Sequence, residues 1–373
     1  MKKIDWTRSL SRPAWLERLS QPADLSWEGL RARLTRKTDD GSAPPAAMPD
    51  FSLERLRKLL TKPKVAGMAA LFASNNEVGL IHLVPGSDTR PRLNRCVFQT
   101  VPKGQKPGRV AQELVRAHKL EKARFVGLLD RNAYQLFPAE APDLPREEWA
   151  AAMKWRIKDQ ISFPVIQAVL EVFDMPGNKP GAESARIYVA AAKDGEVRRH
   201  VQLFLEAGVN LTALDIPELA LLNLTRHLEQ ARDGMALLHL EAKSGLVLMI
   251  RAGEFYLARR IEGGIDLLKE SLSADGSGVT EAPFMDRIAL EAQRTMDYYE
   301  SHFGLTQVSS LQVMPLPTPL IGFRQALAER LGMRINYLNP DELLELPDGI
   351  PEENLARALP AIGAAMRASV DTP

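Results

Sequence analysis

The chain has 373 residues, 45% hydrophobic and 25% charged, which is enough length for two or three packed domains and excludes a mainly disordered protein. Its 48 Lys and Arg nearly cancel 47 Asp and Glu, so there is no global attraction to nucleic acid, no nucleic-acid partner is expected, and any basic patch is local. Cys96, the single cysteine, excludes an intramolecular disulfide, fits a reducing compartment, and reads as a small core residue before it reads as a reactive thiol.

The first stretch, "MKKIDWTRSLSRPAWLERL", begins basic, but Asp5, Arg8, Arg12 and Glu17 break any apolar segment of signal-peptide length. No run elsewhere reaches the roughly 18 apolar residues of a membrane span, so a cytoplasmic location is expected. Residues 1–37 hold nine basic against four acidic residues, a net charge of +5, together with Trp6, Trp15 and Trp27. "TDDGSAPPAAMPD" follows with linker composition, so 1–50 reads as a basic, tryptophan-containing extension and linker. Basic charge with tryptophan suits an anionic membrane surface; the plainer reading is that the segment folds back on the rest.

Next, "FSLERLRKLLTK" predicts a short amphipathic helix, and "VAGMAALFASNNEVGLIHLV" a strand, a turn at "SNN" and a returning strand. "PGRVAQELVRAHKL" is helical; "RFVGLLD" and "AYQLFPAE" are strands. Over 145–161, "PREEWAAAMKWRIKDQI" has Pro at its start, acids in the first turn and Trp149, Met153, Ile157 and Ile161 at four-residue spacing, which predicts one capped helix with one apolar face. "AVLEVFDMP" and "ARIYVAAAK" are strands, "DGEVRRHVQLFLEAG" a helix ended by Gly208, "NLTALDIP" a strand and "ELALLNLTRHLEQ" a helix.

"LHLEAKSGLVLMIRAGEFYLARRIEGG" then reads as a three-strand meander with a helix over 265–272 behind it. "EAPFMDRIALEAQRTMDYYESHFG" is a long helix, "SSLQVMPL" a strand, "LIGFRQALAERLG" a helix, "RINYLN" a strand and "ENLARALPAIGAAMRAS" a last helix. Meanders followed by helices thus begin twice, near Val65 and near Leu237, which suggests two α/β lobes related by pseudo-symmetry with a cleft between them.

Several chemistries lack their motifs. No G-x-x-x-x-G-K-S/T, G-x-G-x-x-G or G-x-S-x-G occurs, and the six histidines form no i, i+4 pair, so no metal site is expected. The acid pairs Glu147 with Glu148 and Glu352 with Glu353 open helices, where the helix dipole explains them better than acid–base catalysis. Trp149 with Trp155 and Tyr298 with Tyr299 read as core and rim packing rather than a base-stacking platform.

Three segments, "LPREEWAAAMKWRIKDQISFPVIQAVLEVFDMP", "IYVAAAKDGEVRRHVQLFLEAGVNLTALDIPELALLN" and "EAQRTMDYYESHFG", resemble the PilM family of type IV pilus assembly proteins, with the same order of elements over 65–367. Within that family the resemblance is closest to the MshI branch of mannose-sensitive haemagglutinin (MSHA) pilus systems. It implies an α/β, actin-like (ribonuclease H-like) two-lobed fold: a first lobe over 51–232 with an inserted subdomain, a second over 233–346, and a helix in 347–373 returning to the first. It also implies a cytoplasmic adaptor, peripheral at the inner membrane, that docks the tail of a PilN-like single-pass protein and works beside a pilus assembly ATPase. The helix over 145–161 runs into "SFPV", so Ile161, Phe163 and Pro164 are the expected docking contacts; the plainer reading has Phe163 capping the core.

The resemblance further implies three nucleotide-contacting loops, each altered here. The first, matched to 67–69, has Ala69 where the family has an aspartate. The second has His239 and Glu241 where the family has an aspartate and a glycine. The third, matched to "MPLPTPLIGF" over 314–323, keeps only Gly322. Glycine at such turns lets backbone N–H groups reach phosphate oxygens. A carboxylate there blocks that approach and sets like charges together, costing roughly 4 kcal/mol at about 4 Å and an effective dielectric near 20. Lys243 offsets part of this. The expectation is a protein without ATP or magnesium and without catalysis. Two alternatives stay open: an ATP-binding protein of the same fold using Asp215 or Asp266, and a scaffold of a type II secretion-like system.

Overall fold

The computed structural model describes residues 65–74, 76–87, 90–177, 185–274 and 283–367. The extension 1–50 with Trp6, Trp15 and Trp27, and the helix expected at "FSLERLRKLLTK", lie outside them.

A meander of β1 (Met68–Ala73), β2 (Glu77–Val84) and β3 (Arg92–Thr100) starts the first lobe, and β4 (Arg124–Leu128) and β8 (Asn210–Asp215) extend it in parallel, in the order β3-β2-β1-β4-β8. The second lobe repeats this: β9 (Met235–Leu240), β10 (Ser244–Arg251) and β11 (Glu254–Glu262) form the meander, β12 (Ser310–Val313) and β13 (Arg334–Tyr337) the parallel extension, in the order β11-β10-β9-β12-β13. Every residue of β9 is buried, which fits a sheet covered on both faces. Between β4 and β8 a third sheet is inserted, made of β5 (Tyr134–Glu140), β6 (Ala168–Asp174) and β7 (Arg186–Lys193) in the order β5-β7-β6.

Helices complete the layers. Helix α1 (Pro107–Ala117) starts on a proline and buries Val110, Ala111, Leu114 and Val115. Helix α2 (Trp149–Arg156) backs the inserted sheet, and α3 (Asp194–Ala207) ends at Gly208, whose φ of 73° is the left-handed stop expected there. Helix α4 (Pro217–Thr225) is followed by the single turn α5 (Gln230–Asp233). In the second lobe lie α6 (Ile265–Ala274), α7 (Pro283–Phe303), α8 (Phe323–Leu331) and the short α9 (Pro340–Leu343). The apolar helix α10 (Glu352–Met366) packs on α4 and on β1 and β2, within the first lobe. One continuous core joins α4 and α10 to Leu237, Leu246, Leu248 and Phe255 of the second lobe.

Three elements differ from expectation. Strand β3 had no strand signal: only Leu93 is fully buried in it, and its polar residues do not alternate regularly. The helix expected over 145–161 is a 3-10 turn (Arg146–Glu148), the eight-residue α2 and a further turn in which Gln160 and Ile161 both donate to the Ile157 carbonyl. Met153, Ile157 and Ile161 still reach the core, so the apolar spacing is satisfied by a bent path as well as by a straight helix. The helix expected through "TRHLEQ" stops at Thr225, whose hydroxyl donates to the Leu221 carbonyl, a side-chain bond to the backbone that slightly weakens and bends the last turn.

Candidate functional site

The shared strand order sets the β1–β2 turn and the β9–β10 turn at equivalent places in the two lobes. This corrects the first loop match. Ala69 is not in a turn; it lies inside β1, fully buried, paired with His82 and Phe125. Gly67, with φ of +88°, precedes the strand and lies so near Leu83 that a Cβ would be 1.9 Å from its carbonyl oxygen. The equivalent turn joins Ala73 to Glu77, where the Ser74 N–H donates to the Glu77 carbonyl at 2.8 Å and the Asn76 N–H to Ser74 Oγ at 3.3 Å. Its sequence signal was the "SNN" triplet.

In the second lobe Glu241 opens the turn. Its N–H is taken by the Ser244 carbonyl at 2.8 Å, while its own carbonyl and that of Ala242 accept the N–H groups of Ile265 and Asp266, each at 2.9 Å, at the start of α6. Gly264 makes this possible, since a Cβ there would be 2.2 Å from the Glu241 oxygen. The turn's carbonyls therefore cap α6.

The Glu241 side chain, 39% exposed, accepts from Ser244 Oγ at 2.9 Å and has Arg131 Nη2 and His239 Nε2 each 3.5 Å from Oε1. Burial alone would raise its pKa, but His239, Arg131 and the Ser244 hydroxyl together hold it at about 2, so it is an anion at neutral pH. Burial pushes His239 below the usual imidazole value despite Glu241, which keeps it neutral. Lys243 is exposed, so the charge balance at this turn comes from Arg131 of the first lobe.

A second cross-lobe contact grips the same segment. Arg260 of β11 donates to the carbonyls of Arg131 and, at 3.4 Å, Tyr134; its guanidinium lies 4.6 Å from the Tyr134 ring centre and 3.7 Å from Glu218. The Tyr134 hydroxyl donates to the buried Glu218. Asp215, also buried, is bound by the Ile216 N–H at 2.9 Å and by Arg367 at 3.4 Å; burial raises its pKa, partly countered by Arg367. Asp266 stands in the first turn of α6. Among the described residues no group of His, Cys, Asp and Glu is placed to hold a metal ion. Gly322 is the N-cap of α8 with φ of 79°, a left-handed conformation that glycine adopts without strain, and its neighbour Ile321 is 92% exposed.

The expected docking residues divide. Ile161 belongs to the core of the inserted sheet, Phe163 is half-buried against that core, and Pro164 is exposed. Two exposed residues nearby had no sequence signal as contacts: Trp155, 65% exposed, and Ile166, 76% exposed. Trp149 is instead pinned, its indole N–H donating to the Leu144 carbonyl at 2.9 Å. The inserted sheet also meets the second lobe. Tyr188 stacks on Phe173 at 5.4 Å, lies 5.0 Å from the Phe255 ring and donates its hydroxyl to the Tyr256 carbonyl.

No protein-family profile and no curated protein matches the chain. Solved structures do. A chain from a PilM–PilN type IV pilus biogenesis complex overlaps with a TM-score of 0.65 at 20% identity, covering 83% of this chain and all of that one. Together with the duplicated sheet order, this makes the fold actin-like. Looser overlaps include a Bacteroides thetaiotaomicron protein with an actin-like ATPase fold (TM-score 0.43, 7% identity, 78% and 95% covered). Another is the cytoplasmic domain of EpsL from the type II secretion system of Vibrio cholerae (TM-score 0.41, 12% identity, 78% and 93% covered). Among the described residues no helix is long and apolar enough to cross a membrane.

Proposed function

We propose that this chain is a non-catalytic, actin-like adaptor of a type IV pilus assembly platform of the MSHA kind. In this reading it docks the cytoplasmic tail of a PilN-like inner-membrane protein, works beside a pilus assembly ATPase, and binds neither ATP nor magnesium. The observation that carries the non-catalytic part is Glu241: the turn that would meet phosphate holds a carboxylate kept ionised, and the carbonyls of that turn are committed to α6. An incoming polyphosphate meets like charge where it needs N–H groups. Support for the docking part is the likeness to a chain solved with PilN, joined to the exposed Trp155, Pro164 and Ile166 of the inserted subdomain. Aromatic and aliphatic side chains of this kind are what a short tail needs as anchors.

Calorimetric titration of the full chain with ATP and magnesium tests the first part; micromolar binding would overturn it. Fluorescence anisotropy with a PilN-like tail peptide tests the second. Phe163→Asp and Ile166→Asp are expected to weaken binding by roughly 2 kcal/mol each; Ile166→Asp leaves melting nearly unchanged, whereas Phe163→Asp sets a charge against the subdomain core and also lowers it, and a wild-type chain that binds no such tail would discard the adaptor reading. For the membrane role of residues 1–50, deletion is expected to reduce sedimentation with anionic liposomes.

A further inference from the structure

The Arg131 guanidinium is 8% exposed, and its Nε, Nη1 and Nη2 make no hydrogen bond among the described residues. Neither ring nitrogen of buried His239 makes one. A buried cation needs a counter-charge, and the carboxylate in reach of Arg131 is Glu241, 3.5 Å away and delivered from the other lobe. The contact does not stand alone, since Arg260, also from the second lobe, holds the backbone of the same 131–134 segment. The second lobe thus reaches this first-lobe turn twice, by an anion to its side chain and by a cation to its carbonyls.

We propose that Glu241 is an internal ligand: from the second lobe's hairpin it supplies the anion that holds Arg131 of the first lobe, closing the lobes on each other without a bound molecule. This rests on the reading that the chain does not use nucleotide. In an actin-like cleft that closes on phosphate, an anion arrives from outside and its departure loosens the contact; here the anion is covalently part of one lobe, so this contact needs no bound molecule and adds to the apolar core that already joins the lobes. Deleting the carboxylate leaves Arg131 buried and uncompensated, a state that recruits a small anion from solution.

Hydrogen–deuterium exchange on the full chain reads the first consequence. Glu241→Gln is expected to speed exchange of amides 131–133 and 239–246 about tenfold, with β6 and β7 of the inserted sheet unchanged. Thermal melting with inorganic phosphate reads the second. Glu241→Ala is expected to be stabilised by millimolar phosphate, the wild type not, and the effect to vanish in Glu241→Ala combined with Arg131→Met. Unchanged exchange in Glu241→Gln, or phosphate stabilisation that is equal in the wild type or survives loss of Arg131, would overturn the proposal. Should Glu241→Ala not fold, the phosphate titration is made on Glu241→Gln with the same two outcomes. ATP binding by the wild type would refute the non-nucleotide reading separately, because exchange without added nucleotide still decides whether Glu241 closes the lobes.

Discussion

Gly363 of α10 lies against Ala220 of α4 so closely that a Cβ on the glycine would be 2.0 Å from the Ala220 carbonyl oxygen, with the Asn223 amide donating to the Gly363 carbonyl at 3.4 Å. The obstacle is backbone, so it cannot turn aside. Gly363→Ala is expected to cost about 1–3 kcal/mol through overpacking. Gly195 in α3, which has open space around it, is the control: Gly195→Ala is expected to be neutral or stabilising by up to about 1 kcal/mol. Chemical denaturation of both variants checks the pair, and equal stabilities would refute the close approach.

Tyr188 joins the inserted sheet to the second lobe by ring packing and by its hydroxyl. Tyr188→Phe keeps the stacking on Phe173 but leaves the Tyr256 carbonyl without that donor, an expected loss of about 1–2 kcal/mol. Tyr188→Ala removes the ring as well and is expected to cost about 3–5 kcal/mol. A phenylalanine variant as stable as the wild type would show that the hydroxyl contributes nothing.

Burial raises the Glu171 carboxyl to about 6, against the pull of Arg367 and Arg146. A folded-state value above the ordinary 4.5 means that this group's contribution is fully present below pH 4.5 and is lost as pH rises through 6. Glu171→Gln is therefore expected to melt higher than the wild type at pH 7.5 and to lose that advantage below pH 4.5. A melting series across that window decides it; an advantage that is constant with pH would point to packing instead.

Glu241 and His239 have the opposite sign. Both are held below their ordinary values, so their contributions are present at neutral pH and lost on acidification, His239 starting below pH 6.5 and Glu241 between 4.5 and about 2. Replacing both, as His239→Phe with Glu241→Gln, is expected to flatten the acid limb of the stability curve relative to the wild type.

The repeat of meander and helices was legible because strand and helix periods are local, and the lobes are built from them one after the other. Gly208 and Gly322 were legible for the same reason: each stands where a helix must stop or start. What was not legible depends on register and on distant partners. The first loop match falls on Ala69 inside β1 rather than on the turn that follows the strand, because no aspartate stands there to fix the register and "AGMAALFA" is uniformly apolar. Arg131 carried no sequence signal. It follows β4 in an unremarkable "DRNA", and only the crossing of the lobes brings it to Glu241. The bend after α2 was hidden because Ile157 and Ile161 satisfy helical spacing while sitting in a turn.

The lodging of α10 against α4, β1 and β2 has a consequence for synthesis on the ribosome. The first lobe's strands emerge early, yet the helix that covers them is translated only after the whole second lobe. At about 5–20 residues per second the wait is on the order of ten seconds. Throughout it, Leu221, Ile81 and the other apolar groups packed in the core with α10 lack that cover, a natural period for a chaperone to occupy the seat. Nascent chains stalled before residue 352 should accordingly be the ones that holdases retain, and release should follow arrival of the last helix.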